Sequence, residues 1–484
     1  MNNVLELTAY ELREKILKKE ITSEELVRLT FEKIEKTNGD IGGFISLRKE
    51  KALEEARTID KKIAAGEKVG ALAGVPVAIK DNMVSIGEYA TSCSNMLKGY
   101  EGMYDATVVK KLKDSGAIII GNTNMDEFAM GSTTKTSCYG MAKNPWDLER
   151  VPGGSSGGAA AVVGSSMVSM SLGSDTGGSI RQPASYCGVV GLKPTYGRVS
   201  RHGIMALASS LDQVGPFTKT VADSALTLSV IAGADDYDST VLDVPVEDYT
   251  KYLNQDIKGM RIGIPKEYFI DGMSEGTKNI VLDTIEKLKS LGAEIVEISL
   301  PHTKYSVSTY YVLQPAEASS NLAKYDGIRY GHRSTNAKNV DDLYVKSRSE
   351  GFGDEVKRRI MMGTYVLSAG FFDAYFKKAQ KVRRLIKNDF DVVFNDVDVI
   401  LTPVSPTTAF KLTDKKTPVE LYLEDIFTIP ANLAGIPGLV VPAGLDNGMP
   451  VGVQFLGKAF DEGQLFKVGS AFEKVRGEWV LPKF

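Results

Sequence analysis

The stretch LGSDTGGSIRQPASYCG, residues 172–188, decides the architecture expected of this chain. An apolar run at 168–172 precedes the glycines and has the length of a buried strand. A helical pattern begins directly after them, at Ile180. Glycine in such a turn permits unusual backbone angles and close approach of main-chain N–H groups to a ligand. The stretch therefore predicts a strand, a ligand-facing turn and a helix in succession, which is a unit of α/β structure.

A second segment rich in glycine and serine is VPGGSSGGAAAVVG, residues 151–164. The ordinary interpretation of such a composition is a flexible loop. Here an apolar element at 159–163 follows the serines directly, and linkers are not usually built into a core in this way. We therefore interpret both stretches as parts of one candidate site.

The rest of the chain alternates short apolar runs with helical patterns, which is typical of an α/β fold. The phrases KKLKDSGAIIIG (110–121) and EKLKSLGAEIVE (286–297) each predict a helix, a C-capping glycine and a strand. Helical patterns also cover about 274–291 and 354–390. No proline/serine-rich or highly charged linker interrupts them, so one large domain is expected. The further strand candidates are 75–79, 117–120, 261–264, 397–401, 439–441 and 451–455.

The first forty residues predict two amphipathic helices. Thr8 with Glu11, and Thr22 with Glu25, have the spacing of capping boxes ahead of apolar positions. We expect residues 1–65 to form an N-terminal helical arm that packs on a main domain of residues 66–484.

Composition excludes several classes of protein. A formal net charge of -3 and a pI near 5.9 argue against a chain that grips nucleic acid by itself. The 3 cysteines lie far apart and form no C-x-x-C pair, so neither a disulfide framework nor a metal site is expected. The N-terminus has no apolar h-region and no run of 18 apolar residues occurs, which predicts a cytoplasmic protein without membrane contact.

Three kinds of chemistry compete for the glycine- and serine-rich segments. Phosphate binding is disfavoured because neither dinucleotide nor P-loop spacing occurs between a strand and a helix. An α/β-hydrolase elbow is disfavoured although residues 153–157 satisfy G-x-S-x-G. NPWDLERVP rather than a strand precedes them, and the last of the 3 histidines, His332, is far from the C-terminal position that such a triad uses.

The third chemistry uses a lysine as the base. A strand that ends at Ile79 delivers Lys80 at its end, and a lone lysine in that position is usually a solvated charge. An ordinary lysine is neutral in only about 1 molecule in 2,500 at pH 7, a deficit of about 4.6 kcal/mol. Burial would have to lower the pKa of Lys80 for it to accept a proton.

Three motifs together resemble the amidase signature family: GVPVAIKDN (74–82), PGGSSGG (152–158) and GSDTGGSIRQPASYCG (173–188). The resemblance implies a mixed central β-sheet covered by helices on both faces, with a signature core at about 70–220. It also implies that Ser179 is the nucleophile. Ser155, which follows a cis peptide after Gly154, would relay the proton of Ser179 to neutral Lys80.

The local sequence of the turn agrees with those roles. The N–H groups of the residues before the helix, Thr176, Gly177, Gly178 and Ser179, can point at one spot and form an oxyanion hole. Asp175 and Arg181 flank the nucleophile, and we expect them to be scaffold. Ser156 has two open roles, in the proton network or as a helix cap.

Further stretches are similar to the tRNA-dependent amidotransferase branch of that family, and they extend the resemblance over nearly the whole chain. They are GNTNMDEFAMGS (121–132), AEASSNLAKYDGIRYG (316–331), EGFGDEVKRRI (350–360) and the run from Asp425 through IPANLAGIPG. The resemblance implies that glutamine is bound by Tyr310, Arg359 and Asp425. Arg359 competes with its neighbour Arg358 for that role.

The function implied by the resemblance is that of a glutaminase subunit. It would hydrolyse glutamine through an acyl-enzyme on Ser179 and supply ammonia for conversion of Glu-tRNA(Gln) to Gln-tRNA(Gln). The implied partners are a B and a C subunit in a heterotrimer, with the tRNA held mainly through the B subunit. No cofactor is expected in this chain, whereas ATP and Mg²⁺ are expected on the partner. Two alternatives remain: a free-standing amidase for another small amide, and a non-catalytic assembly subunit.

Overall fold

Strands from the whole length of the chain meet in one mixed sheet in the computed structural model, which describes residues 4–484. Among these residues the sheet has 11 strands, in the order β1-β3-β2-β4-β6-β5-β10-β11-β9-β7-β8. The strands are β1 Phe44–Leu47, β2 Pro76–Lys80, β3 Ile118–Thr123, β4 Met170–Asp175, β5 Val190–Lys193, β6 Gln213–Thr218, β7 Arg261–Pro265, β8 Glu294–Ile298, β9 Val399–Pro403, β10 Gly438–Asp446 and β11 Met449–Gly457.

Two groups of parallel strands lie in this sheet. β2 pairs in parallel with β3 and β4, and β7 pairs in parallel with β8 and β9. The remaining pairs are antiparallel. The predicted mixed α/β sheet is confirmed.

Helices cover the sheet on both faces. They are α1 Ala9–Leu17, α2 Ser23–Ile41, α3 Lys49–Ala64, α4 Thr107–Asp114, α5 Gly157–Gly164, α6 Arg181–Cys187, α7 Val221–Ile231, α8 Glu275–Ser290, α9 Ser306–Asn321, α10 Val340–Gly351, α11 Asp354–Leu367, α12 Lys378–Val393, α13 Pro418–Leu423, α14 Ile429–Ala434 and α15 Glu462–Arg476. In the described part of the chain, no helix is both long and apolar enough to cross a membrane.

Alternate residues of the central strands enter different hydrophobic cores, because successive side chains of a strand point to opposite faces. Val77 and Ile79 belong to the core that also contains residues of α4, α7, α8 and α15, whereas Ala78 belongs to the core that contains residues of α2, α3, α5 and α6. A third core lies around α9, α11, α12 and α14. The three cores form one domain around the sheet.

The N-terminal helices begin as their caps predict. Thr8 and Glu11 form the reciprocal capping box, and the Thr22 side chain accepts a hydrogen bond from the Glu25 N–H. The predicted arm is not wholly helical, because β1 pairs antiparallel with β3 at the sheet edge. Only Phe44 of this four-residue strand is buried, so no alternation marks it in the sequence. Residues 1–3 of the predicted arm lie outside the described residues, and its boundary at residue 65 stays a prediction.

Two other expectations need correction. The helical pattern at 354–390 is not continuous, because α11 ends at Leu367 and a π-helical turn, Phe372–Lys377, leads into α12. Gly370, at φ +84°, interrupts the helical geometry between them. Strands β5 and β6 were not predicted; β6 contains Pro216, which weakens the sequence signal of a strand.

Candidate active site

The three signature segments meet at one edge of the sheet. β2 and β4 are parallel neighbours, so Lys80 at the end of β2 lies beside Ser174 and the turn that follows β4. The peptide bond between Gly154 and Ser155 is cis, as the resemblance implied, and α5 begins two residues later at Gly157. Segments far apart in sequence therefore surround the lysine.

The Lys80 ammonium lies in a fully buried cluster of hydroxyls. Its Nζ donates to Ser155 Oγ at 2.9 Å, to Ser156 Oγ at 2.7 Å and to Ser174 Oγ at 2.9 Å. The side chain has 0% exposure, so water does not replace these partners. The geometry brings together the two residues expected at the base end of the relay.

Burial lowers the pKa of Lys80 to about 7. The carboxylates of Asp126, Asp175 and Asp212 act in the opposite direction, since a nearby negative charge favours the ammonium form. A pKa near 7 leaves a large fraction of the amine neutral at neutral pH, which a proton acceptor requires.

Ser156 belongs to the hydroxyl network rather than to a helix cap. It occupies the position before α5 but makes no side-chain capping hydrogen bond there. Its Oγ instead donates to the Ser174 carbonyl oxygen at 3.0 Å. Sequence reasoning missed Ser174 and Asn82, whose Nδ2 donates to Ser174 Oγ at 3.0 Å. Both lie inside the quoted motifs, which was the available signal.

Ser179 ends the glycine turn, directly before Ile180, the N-cap of α6, and it is 8% exposed. Its carbonyl oxygen accepts a hydrogen bond from the Ser156 N–H at 3.3 Å, which joins the two serine-bearing segments. Within residues 4–484, the hydroxyls of Ser155 and Ser179 are not hydrogen-bonded to each other. The structure thus contains the Lys80–Ser155 contact of the expected relay without the second contact.

The predicted oxyanion hole differs at one residue. The Gly178 N–H donates to Asp175 Oδ1 at 2.9 Å, so it is not free to bind an anion here. The N–H groups of Thr176, Gly177 and Ser179 have no acceptor among the described residues. Three of the four N–H groups, rather than all four, are therefore without a partner among the described residues.

Asp175 and Arg181 hold the turn, as expected of scaffold residues. Burial alone would raise the pKa of Asp175, but the Arg181 guanidinium, 3.1 Å away, brings it down to about 2. Arg181 also donates to the Thr428 carbonyl oxygen at 2.8 Å and to Asn432 Oδ1 at 2.6 Å. Both partners lie in or beside α14, so this ion pair ties the nucleophile turn to that helix.

Tyr310 packs directly against the turn. A Cβ atom added at Gly177 would lie 2.7 Å from Tyr310 Cζ, which only a glycine avoids. Thr428 Oγ1 donates to the Gly177 carbonyl oxygen at 2.7 Å and fixes the same residue from another side. Tyr310, one of the three predicted glutamine-binding residues, therefore contacts the turn.

Arg358 and Arg359 differ in burial. The Arg358 side chain is 46% exposed, whereas that of Arg359 is 4% exposed. Arg359 Nε donates to Glu355 Oε1 at 2.8 Å, and its Nη1 donates to Gln314 Oε1 at 3.0 Å. Arg359 faces the interior while its neighbour faces solvent.

The Asp425 carboxylate is partly exposed and accepts no hydrogen bond from the described residues. Burial and the neighbouring Glu424 raise its pKa, while Arg359 acts to lower it. The charges of both Arg359 and Asp425 also act on the pKa of Tyr310, which burial raises strongly. The three predicted glutamine-binding residues thus form one electrostatically coupled group.

A separate large cavity does not coincide with this chemistry. It has a volume of about 1030 Å³ and is lined by residues such as Met103, Tyr104 and Tyr330, and none of the serines or Lys80 lines it. In residues 4–484 there is no group of three or more side chains suited to hold a metal ion.

Comparison with known proteins shows which proteins this chain resembles. The Amidase family model matches residues 25–466. The A subunit of glutamyl-tRNA(Gln) amidotransferase from Fusobacterium nucleatum is 66% identical over 482 residues, which are 100% of this chain and 99% of that relative. The protein of the same name from Carboxydothermus hydrogenoformans is 58% identical over 469 residues, 97% of each chain. The crystal structure of the corresponding A subunit from Thermotoga maritima superposes with a TM-score of 0.83 at 44% identity, covering 99% of this chain and 98% of that one.

Proposed function

Because this chain belongs to the amidase family, we propose that it hydrolyses glutamine as the ammonia-supplying subunit of a glutamyl-tRNA(Gln) amidotransferase. The observation that carries the proposal is the combination of two groups at one place. A buried lysine with a pKa near 7 contacts Ser155 beside the Ser179 turn. Tyr310 packs against that turn, and the charges of Arg359 and Asp425 act on the pKa of its hydroxyl. Amide hydrolysis needs the first group, and recognition of a free amino acid needs the second.

In the proposed reaction the Ser179 hydroxyl attacks the side-chain amide carbon of glutamine. Its proton passes through Ser155 to Lys80, and for this the Ser155 hydroxyl turns toward Ser179. The oxyanion that forms is stabilised by the N–H groups of Thr176, Gly177 and Ser179. Collapse of the tetrahedral intermediate breaks the C–N bond, and the proton returns along the relay to release ammonia. Water then hydrolyses the glutamyl ester on Ser179 and releases glutamate.

Substrate selection follows from the charges of free glutamine. Arg359 meets the α-carboxylate through the edge of its guanidinium that Glu355 leaves open, and Asp425 meets the α-ammonium. Tyr310 adds a directed hydroxyl next to the reacting carbonyl. Burial and Glu424 raise the pKa of Asp425, and a substrate ammonium beside it would act with Arg359 to favour the ionised carboxylate.

Ammonia then reaches a partner that amidates activated Glu-tRNA(Gln). We assign ATP and Mg²⁺ to the B subunit, which also holds most of the tRNA, and a C subunit completes the heterotrimer. The net charge of -3 supports this division, since a tRNA-binding surface needs clustered positive charge. The complex works in the cytoplasm, where tRNA is aminoacylated. A free-standing amidase would use the same serines but would not need a carboxylate-binding arginine.

The test begins with covalent labelling. A glutamine-analogue electrophile should form an adduct on the peptide that carries Ser179, detected by mass spectrometry, and Ser179→Ala should form none. Glutaminase activity is then measured for the chain alone, for the assembled complex, and with Glu-tRNA(Gln). Labelling of another residue would overturn the nucleophile assignment. Hydrolysis of small amides in preference to glutamine would favour the free-standing amidase.

A further inference from the structure

Arg359 is held on one side and open on the other. Glu355 accepts from its Nε and Gln314 from its Nη1, whereas its Nη2 has no acceptor among residues 4–484. Glu355 and Arg359 lie one turn apart on α11, so their contact is set within a single helix. The direction in which the free edge points depends on what holds this pair against the rest of the protein.

Tyr422 contacts the pair from another element. Its hydroxyl donates to Glu355 Oε1 at 3.2 Å, the same oxygen that accepts from Arg359. Its ring stacks on that of Tyr311, with centroids 3.8 Å apart and planes at 20°. The guanidinium carbon of Arg359 lies 5.4 Å from the Tyr311 ring and 5.6 Å from the Tyr422 ring, within the range of cation–π attraction. Two aromatic rings and one carboxylate therefore surround the arginine.

The position of Tyr422 links the two charged ends of the glutamine pocket. It lies on α13, whose start is set by a reciprocal capping box between Thr417 and Glu420. Asp425 follows three residues later, and Thr428 beyond it donates to the Gly177 carbonyl oxygen. Tyr422 thus connects the segment that carries Asp425 to α11, which carries Arg359.

We infer that Tyr422 is a positioning residue that sets the place of the Arg359 guanidinium relative to Asp425 and so determines selectivity for a free α-amino acid amide. The inference rests on the proposed function. A long arginine side chain loses considerable rotamer freedom when it is held in one place. Because Tyr422 and Glu355 already hold Arg359 in the free protein, substrate binding does not have to supply that loss of entropy. Removal of the Tyr422 contacts should therefore weaken substrate binding and leave the chemistry of the serines unchanged.

The experiment uses the assembled enzyme with Tyr422→Phe and Tyr422→Ala. Phenylalanine keeps the ring stack but removes the hydroxyl, and alanine removes both. We expect the KM for glutamine to rise about 3-fold in Tyr422→Phe and roughly 10- to 100-fold in Tyr422→Ala, with kcat changed less than about 2-fold. The ratio of kcat/KM for glutamine to that for propionamide, which has no α-groups, should fall by the same factor.

Controls separate positioning from a purely structural role. Tyr365→Phe alters an exposed tyrosine on α11 and should change neither KM nor the ratio. The double variant Tyr422→Ala with Arg359→Lys should lose less kcat/KM for glutamine than the product of the losses in the two single variants, because both substitutions act through one guanidinium. If Tyr422→Ala fails to fold, Tyr422→Phe and its combination with Arg359→Lys decide the question.

The outcomes are distinguishable from failure of the proposed function. An enzyme whose wild type hydrolyses propionamide but not glutamine would refute that function and this inference with it. A wild type selective for glutamine, with Tyr422→Phe and Tyr422→Ala unchanged in KM, would refute the inference alone. Equal losses for glutamine and propionamide would also refute it, since they would show a general structural role.

Discussion

At the scale of single residues, Lys80 shows how burial converts a common side chain into a candidate base. An exposed lysine at a strand end remains protonated at neutral pH. Here the side chain has 0% exposure and its nitrogen faces three hydroxyl oxygens rather than a carboxylate. Desolvation therefore outweighs the more distant carboxylates and lowers the pKa of Lys80 to about 7.

We expect kcat/KM for glutamine to rise with pH through about 7. Because only the neutral amine accepts a proton, and because Lys80 has a lowered pKa, activity is lost as pH falls below about 7. Between pH 6 and pH 8, kcat/KM for glutamine should rise about 10-fold. The measurement is a pH profile under conditions where chemistry limits the rate.

Lys193 provides the matched control. Burial lowers its pKa to about 7 as well, but its Nζ donates to the Pro194 carbonyl oxygen and not to the serines. The pH profile of kcat/KM in Lys193→Met should therefore still rise through about pH 7. A flat wild-type profile between pH 6 and 9 would remove Lys80 as the base.

Lys80→Ala and Ser155→Ala should each lower glutamine turnover by about 1,000-fold or more, and the double variant should be little worse than either. The two residues form one proton path, so removal of one member already breaks it. The comparison is of kcat in the two single variants and the double variant, with the exposed Ser290→Ala as a neutral control. If the decrease in kcat of the double variant equals the product of the two single decreases, Lys80 and Ser155 contribute independently to catalysis.

At the scale of elements, α11 places two adjacent arginines in different environments. Neighbouring residues of a helix point about 100° apart, so one can face the core while the next faces solvent. Arg359 packs toward α9 and α13, and Arg358 remains outside. Residue type alone does not distinguish them.

Arg359→Lys should weaken the use of glutamine by roughly 10- to 100-fold or more, mostly through KM. A lysine keeps the charge but cannot reproduce the planar fork, and a hydrogen bond to a charged group contributes about 1.5 to 3 kcal/mol. Arg358→Lys, one position away and exposed, is the matched control and should have kinetics close to wild type. Equal effects of the two substitutions would place the carboxylate site elsewhere.

At the scale of the whole molecule, the sheet assembles one site from segments that are far apart along the chain. Lys80 comes from β2, Ser155 and Ser179 come from the segments on either side of β4, and Asp425 lies between α13 and α14. Under the proposed function these groups act on glutamine, and none of them is required for the later use of ammonia by a partner.

An assembled complex with Ser179→Ala should lose glutamine-dependent amidation of Glu-tRNA(Gln) but retain amidation when given high ammonium at alkaline pH. Free ammonia needs neither the nucleophile nor recognition of α-groups. The assay measures Gln-tRNA(Gln) formed from each nitrogen source, with intact partner subunits and ATP. Absence of ammonium-dependent product in that complex would contradict a free ammonia intermediate.

The sequence by itself determined the local units and indicated the candidate residues of the site. The strand before Lys80, the two helix–glycine–strand phrases and the caps at Thr8 and Thr22 depend on neighbours within a few residues, which a sequence displays directly. The resemblance carried by the three motifs also implied Lys80, Ser155 and Ser179 as the candidate catalytic residues.

Only the tertiary structure decided which of those groups are buried and what they contact. It placed β1 on the sheet edge and buried Arg359 while Arg358 stayed exposed. It also brought Ser156 into the hydroxyl network and paired the Gly178 N–H with Asp175. Burial and hydrogen-bond partners are set by elements distant in sequence, because strands that lie side by side need not be consecutive. Periodicity and motif spacing contain no record of those pairings, and the pKa of a residue such as Lys80 depends on them.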